Sequence, residues 1–172
     1  PSTDTKPNGK VWDIYSDVPG GTPAYEFTHG SKKCGSYSKE ADCYNREHSF
    51  CDSWLGATNP ARSDLFHMYP TDGYVNNRRS NYPYGNVGSA SWTSTNGSKV
   101  GTSNTPGYSG TVFEPINEYK GDVARSAMYM SVRYYTEDGS WSTTAGAGTS
   151  KSDLLPWYAN LLYSWSILDT VS

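Results

Sequence analysis

Apolar positions along this chain gather into a few compact clusters separated by long polar stretches. In the clearest cluster, residues 122–135, Val123, Ala127, Met130 and Tyr134 recur at three- and four-residue spacing, with Ala124, Met128 and Tyr135 beside them. That period predicts an amphipathic core helix, N-capped by Asp122. A second helix is predicted from Ser152 or Asp153 to Ile167. There Leu154, Leu155, Tyr158, Leu161, Leu162 and Trp165 make a broad apolar face, and Pro156 suits the first turn. Asp72 supplies an N-cap for two further helical turns over residues 73–81, which Pro83 ends.

The other clusters read as strands and loops. Val11, Asp13 and Tyr15 alternate with Trp12 and Ile14 in a strand-like run, Lys10–Ser16, within an opening stretch punctuated by Pro7, Pro19, Gly20, Gly21, Pro23 and Gly30. Residues 43–50 have strand character, 52–62 read as a loop, and 64–69 form a compact apolar element stopped by Pro70. Residues 85–111, rich in Gly, Ser, Thr and Asn around an isolated Trp92, predict a hairpin or a long surface loop. Residues 137–150 predict mobile surface. This distribution predicts an α+β class, and 172 residues at roughly 150 per domain predict a single domain.

Composition narrows the picture. Hydrophobic residues make up 35% of the chain and aromatics 15%, so the core is built from few, large side chains. A net charge of −3, from 14 Lys+Arg and 17 Asp+Glu, argues against holding a polyanion by bulk electrostatics. No run approaches the roughly 18 apolar residues that span a bilayer. Residues 1–10 are polar, with no apolar leader core, and the expectation is a secreted or periplasmic chain whose signal has been removed. Cys34, Cys43 and Cys51 are an odd number and cannot all pair within the chain. The low charge content favours an oxidising compartment, with Cys34 bridged to Cys43 and Cys51 single; three buried reduced thiols are the alternative.

The stretch from Cys43 to Pro83 permits a sharper reading. It runs Cys-Tyr-Asn-Arg-Glu-His-Ser-Phe, a loop, then Ser-Asp-Leu-Phe-His-Met-Tyr-Pro-Thr-Asp-Gly-Tyr-Val-Asn-Asn-Arg-Arg-Ser-Asn-Tyr-Pro. This closely resembles the bacterial endonuclease I family, secreted or periplasmic nucleases with a ββα-metal, or His-Me, finger core at about residues 43–82. Phe113-Glu114-Pro115, Lys120 to Arg125, Tyr129-Met130, and Leu162, Trp165, Asp169, Val171 and Ser172 resemble later blocks of the family in order and spacing.

The resemblance implies a metal-dependent, largely sequence-nonspecific endonuclease acting on DNA, with RNA as a second substrate. It needs no membrane and no obligate protein partner. His48 would be the general base that activates water. Glu47 and Asn76 would hold one divalent cation by oxygen ligands, Mg²⁺ ahead of Ca²⁺ or Mn²⁺, that stabilises the leaving oxyanion. Both ligands are expected to be partly exposed and to share one cleft with His48. Adjacent strand residues point to opposite faces, which sets a geometric demand on Glu47 and His48. Arg79, one turn beyond Asn76, is the first choice for catalytic contact with phosphate, and Arg46, Arg62 and Arg125 are further phosphate candidates; Arg78 is a weaker one. Arg125 is expected in a helical first turn, where free backbone amides attract anions, or else in a salt bridge with Asp122. His67 is expected to orient the finger and Asp64 to brace it, while His29 has no evident role. Paired Cys/His spacing for zinc is lacking.

Three features depart from the family pattern. Cys51 stands where Pro is usual, Phe66 replaces the first of two histidines, and the chain ends at Ser172 where the family continues into an Asn- and Arg-rich tail, which suggests a shortened form. The competing readings are a secreted, aromatic-rich carbohydrate-binding module and a catalytically dead nuclease-like protein that binds nucleic acid.

Overall fold

The computed structural model describes residues 4–56, 59–144 and 148–168. A two-stranded antiparallel ribbon followed at once by a short helix positions the remaining elements of the site. Strand β1 (Tyr44–His48) pairs with β2 (Met68–Asp72), Tyr44 lying opposite Asp72 and His48 opposite Met68. Helix α1 (Gly73–Arg79) starts directly from β2 because Asp72, as expected, caps it: one carboxylate oxygen accepts from Tyr74 N at 2.8 Å and Val75 N at 2.9 Å. The other oxygen accepts from Ala41 N at 2.8 Å, and Asp72 N donates to Asp13 Oδ2 at 3.0 Å. The cap therefore ties α1 to two earlier segments as well as to its own first turn.

Pro70 does not stop the apolar element; it sits inside β2 opposite Arg46. In a ribbon of two strands every strand has an unpaired edge, so a residue without an N–H is tolerated. Residues 64–69 are not one apolar unit either. Leu65–His67 make a single 3-10 turn that leaves Leu65 and Phe66 exposed, and only His67 turns inward. The Cys34–Cys43 disulfide forms, and Cys51 is a buried free thiol. The bridge packs so closely on the start of α1 that a Cβ at Gly73 would lie 2.9 Å from Cys34 Sγ.

Residues 85–111 resolve into a meander, the hairpin rather than the loop. Strands β3 (Val87–Thr93), β4 (Lys99–Ser103) and β5 (Thr111–Glu114) pair in order, with register shifts in β3. Helix α2 runs Asn117–Arg133, beginning five residues before the predicted Asp122. Tertiary contacts extend it: the Tyr119 hydroxyl receives Trp12 Nε1 at 2.9 Å and donates to buried Asp17, and Lys120 bonds Glu114 at 2.6 Å. These contacts override the weak helix preference of Gly121.

The predicted mobile surface is partly folded. Short strands β6 (Thr143–Thr144), β7 (Thr149–Ser150) and β8 (Asp153–Leu154) form a small sheet, and buried Trp141 packs against Phe50 and Tyr134. Residues 145–147 of that stretch lie outside the described residues, as do Asp169, Val171 and Ser172. Helix α3 (Pro156–Leu168) begins at the proline, later than predicted because Asp153 and Leu154 are taken by β8. The Lys10–Ser16 run makes isolated bridges at Lys10 and Val11 and then turns. Its alternation reflects burial of Val11, Asp13 and Tyr15 around half-exposed Trp12, with Ile14 buried as well. The core is aromatic, as composition predicted, with Tyr15, Phe50, Trp54, Tyr84, Phe113, Tyr158 and Trp165 all inside it. Mixed helices and small sheets place the chain in the α+β class. No helix among the described residues is long and apolar enough to cross a membrane.

The 3-10 turn is pinned at both ends. Asp64 accepts from Phe66 N at 2.9 Å, Tyr129 Oη at 2.9 Å and Tyr134 Oη at 2.8 Å, the bracing expected of it, and these donors outweigh burial to hold its carboxyl below the ordinary range. His67 is fully buried, with Nε2 bonded to the Ala61 carbonyl at 2.9 Å. We expect Asp64→Ala to strip three donors of their acceptor and lower stability by about 2 to 3 kcal/mol, read from urea midpoints. Burial, aided by nearby His48, pushes the His67 imidazole down to about 4. The unfolded chain therefore binds more protons than the folded one between about pH 6.5 and 4, and stability falls as pH drops through that window, by up to about 3 kcal/mol. Melting curves across it should be flatter for His67→Gln.

Candidate active site

The last residues of β1 and the face of α1 above them enclose a cleft of about 370 Å³ lined by Arg46, Glu47, His48, Asn76, Arg79 and Asn81, among others. The alternation of β1 sends Glu47 inward and leaves His48 half-exposed. Because the strand stops at His48, both residues still border the same cleft, which meets the geometric demand of their adjacency.

His48 Nε2 lies 3.0 Å from the carbonyl oxygen of Arg62. A carbonyl only accepts, so the proton sits on Nε2 and the lone pair of the neutral ring is on Nδ1. The Arg62 side chain turns instead to Asp52, with Nε to Oδ1 at 2.7 Å and Nη2 to Oδ2 at 3.1 Å. Asn76 donates through Nδ2 to Asn45 Oδ1 at 2.8 Å and to the Arg46 carbonyl at 3.2 Å. With the nitrogen engaged on β1, Oδ1 is the atom left to act as a ligand.

Glu47 departs from expectation. It is 2% exposed, not partly exposed. Its Oε1 accepts from Tyr15 Oη at 2.9 Å and pairs with Arg79 Nη1 at 3.0 Å, and Tyr15 Oη lies 3.0 Å from Tyr84 Oη. Burial pushes the Glu47 carboxyl up, against the opposing pull of Arg79 and the two tyrosine hydroxyls. Asn76 is half-buried, as expected.

Arg79 is likewise placed differently from the sequence reading. Its guanidinium is 1% exposed, lies 4.8 Å from the centre of the Tyr84 ring, and donates to the carbonyls of His48 at 3.0 Å and Ser49 at 2.7 Å. The helical spacing that puts Arg79 one turn beyond Asn76 does bring it to the cleft, but Nη1 and Nη2 are spent on Glu47 and on the backbone at the end of β1, while its buried Nε has no hydrogen-bond partner among the described residues. Arg46 remains exposed on the strand and borders both this cleft and a second one of about 690 Å³ on its other side. Arg125 does not line the cleft. Since α2 begins at Asn117, Arg125 lies beyond its free amides, and it pairs with Asp122 at 2.6 Å. Arg78 is engaged by Tyr74 Oη at 2.6 Å, and His29 sits elsewhere beside Thr5.

Sequence reasoning missed Tyr15 and Tyr84, which complete the surroundings of Glu47. Nothing local marks them; each is one tyrosine among 15, brought in by tertiary packing. Chemically, the cleft joins an imidazole with a defined lone pair to two hard oxygen donors, Glu47 and Asn76. Such donors suit a hard divalent ion that completes its shell with water and phosphate oxygens. Among the described residues there is no larger His/Cys/Asp/Glu cluster of the kind that makes an all-protein metal cage.

Comparison with known proteins gives the chain's relatives. The chain is 35% identical over 117 residues to an extracellular ribonuclease of Bacillus subtilis (strain 168) and 37% identical over 117 residues to one of Bacillus amyloliquefaciens. Each match covers 66% of this chain and 37% of the relative, so the chain matches little more than a third of the relatives' length. The family model described as Endonuclease I matches residues 2–172, and the chain therefore belongs to the endonuclease I family.

Proposed function

We propose that this chain is a secreted, metal-dependent nuclease that hydrolyses phosphodiester bonds in DNA and RNA with little sequence preference. The observation that carries the reading is the bond from His48 Nε2 to the Arg62 carbonyl. It leaves Nδ1 able to take a proton from water, in the same cleft as the oxygen donors Glu47 and Asn76. Family membership and the two extracellular ribonucleases support nucleic acid as substrate, RNA included, and support secretion. They give no support to a carbohydrate-binding module.

In this reading β1, β2 and α1 are the ββα-metal finger. Glu47 and Asn76 would hold one divalent cation, Mg²⁺ first, which when bound supplies positive charge for the phosphate and the departing 3′ oxygen. Arg79 keeps Glu47 in place and fixes the carbonyls beyond β1. It thus acts as a positioning residue, and exposed Arg46 at the cleft and exposed Arg62, held beside it by Asp52, are the better arginines for phosphate. Phosphate contacts position a substrate without reading its sequence, which suits nonspecific cleavage.

Two experiments test the assignment. His48→Ala and Asn76→Ala should each cut plasmid-nicking rate by about 100-fold or more, with melting temperature nearly unchanged, and EDTA should abolish nicking by the wild type. Nicking that persists in EDTA, or in His48→Ala, would overturn the proposal. Glu47→Ala should behave differently from Asn76→Ala: it strands a buried guanidinium and is expected to cost about 3 to 5 kcal/mol of stability. Glu47→Gln, which keeps the size and one carbonyl oxygen as acceptor for Tyr15 and Arg79, should retain more of the fold while losing metal-dependent activity, as followed by thermal melts beside the nicking assay.

A further inference from the structure

Two adjacent apolar side chains stand out of the surface beside the site. Leu65 is 79% and Phe66 72% exposed, on the 3-10 turn that follows Asp64. That turn is held by the Asp64 bonds to α2 and by buried His67, so the two side chains are displayed from a fixed backbone. Phe66 rests against Tyr129, with ring centres 5.0 Å apart and planes tilted by 46°. Leu65 forms part of the wall of the 690 Å³ cleft, together with Met68, Tyr69 and Pro70 on one side and Arg46 and His48 on the other. His48 and Leu65 line this same cleft, and Phe66 follows Leu65 on the turn at its edge.

We propose that Leu65 and Phe66 are a stacking platform for an unpaired nucleobase, so that the site favours single-stranded nucleic acid; this rests on the nuclease reading and specifies the form of its substrate. The charges in the cleft give little net attraction, since Lys33 and Arg46 face Asp4 and Asp52. The whole chain carries −3. Base stacking on an exposed ring adds affinity to the phosphate contacts without reading sequence. Bases in a duplex have both faces covered by their neighbours, whereas an unpaired base offers a free face. A second copy of the chain is the less favoured occupant, because two side chains fall well short of the roughly 800 Å² per partner that a stable protein interface buries.

The test uses binding, so that it stands apart from turnover. In a His48→Ala background with Mg²⁺, fluorescence anisotropy is measured with a labelled 12-nucleotide single strand, as RNA and as DNA, and with the matching DNA duplex; the length, about 12, spans one ordinary single-strand site. Adding Leu65→Ala and Phe66→Ala together should weaken single-strand binding about tenfold and duplex binding less than about twofold, and Phe66→Trp in place of Phe66→Ala should restore the single-strand affinity. Should the double variant lose its melting transition, Phe66→Ser alone carries the same comparison. Equal losses on both forms, no loss on either, or a wild-type dimer that the double variant dissolves would overturn the platform. A wild-type chain that cuts neither form in Mg²⁺ would refute the nuclease reading instead, and the anisotropy ratio would still decide the platform.

Discussion

The ion pair between Glu47 and Arg79 is the contact on which the rest of the site depends. Both groups are almost wholly removed from water, and neither would be tolerable alone. Arg79 cannot shed its charge, so the pocket must offer it acceptors; it finds Glu47, two carbonyls and the face of Tyr84. Glu47 and the two carbonyls lie together where β1 ends, and Tyr84 belongs to a separate segment. Satisfying one guanidinium therefore fixes the end of β1, the end of α1, the segment around Tyr84 and, through the Tyr15 bond to Glu47, the N-terminal region. The pair adds little net stability over an apolar core of equal volume, but it specifies one arrangement, because any other strands a buried charge.

That arrangement explains why some of the site was legible in sequence and some was not. Asp72 could be read as a helix cap because capping is local chemistry, and β1, α1 and the Cys34–Cys43 bridge follow from residues near one another in the chain. The meander over 85–114 was open between strand and loop, since its Gly- and Ser-rich strands carry little alternation and are held by pairing across the sheet. The starts of α2 and α3 were misplaced for a related reason: Tyr119 and Lys120 reach partners far off in sequence, and β8 claims Asp153 and Leu154. Glu47 is the instructive case. Only the family resemblance assigned it to the site, and its burial is set by Tyr15 and Tyr84, 32 residues before it and 37 after it, which no local pattern announces.

Burial of Glu47 also changes how a cation at this site is to be understood. A carboxylate already paired with an arginine offers a bound ion less net charge than a free one, and Asn76 adds none. In the proposed function, protein ligation of that kind would leave most of the shell to water and to substrate phosphate, in keeping with the habits of Mg²⁺. Ion and substrate are then expected to strengthen each other's binding, since each supplies part of what the other lacks.

Arg62 carries the argument a step further, because its two ends act on the same cleft in different ways. Its carbonyl holds the proton of His48 on Nε2 and so decides which ring nitrogen faces water. Its side chain pairs with Asp52, a carboxylate that borders both clefts and would otherwise repel a phosphate entering either one. That pair is half-exposed and of little consequence for folding. A phosphate competing for the guanidinium would release Asp52 at the cleft mouth, so contact between Arg62 and substrate exchanges one anion for another and need not disturb the backbone that orients His48. Under the proposed function His48 would stay set as the base while the charge around it rearranges, and a chain with a net charge of −3 would meet a polyanion by local charge at this place.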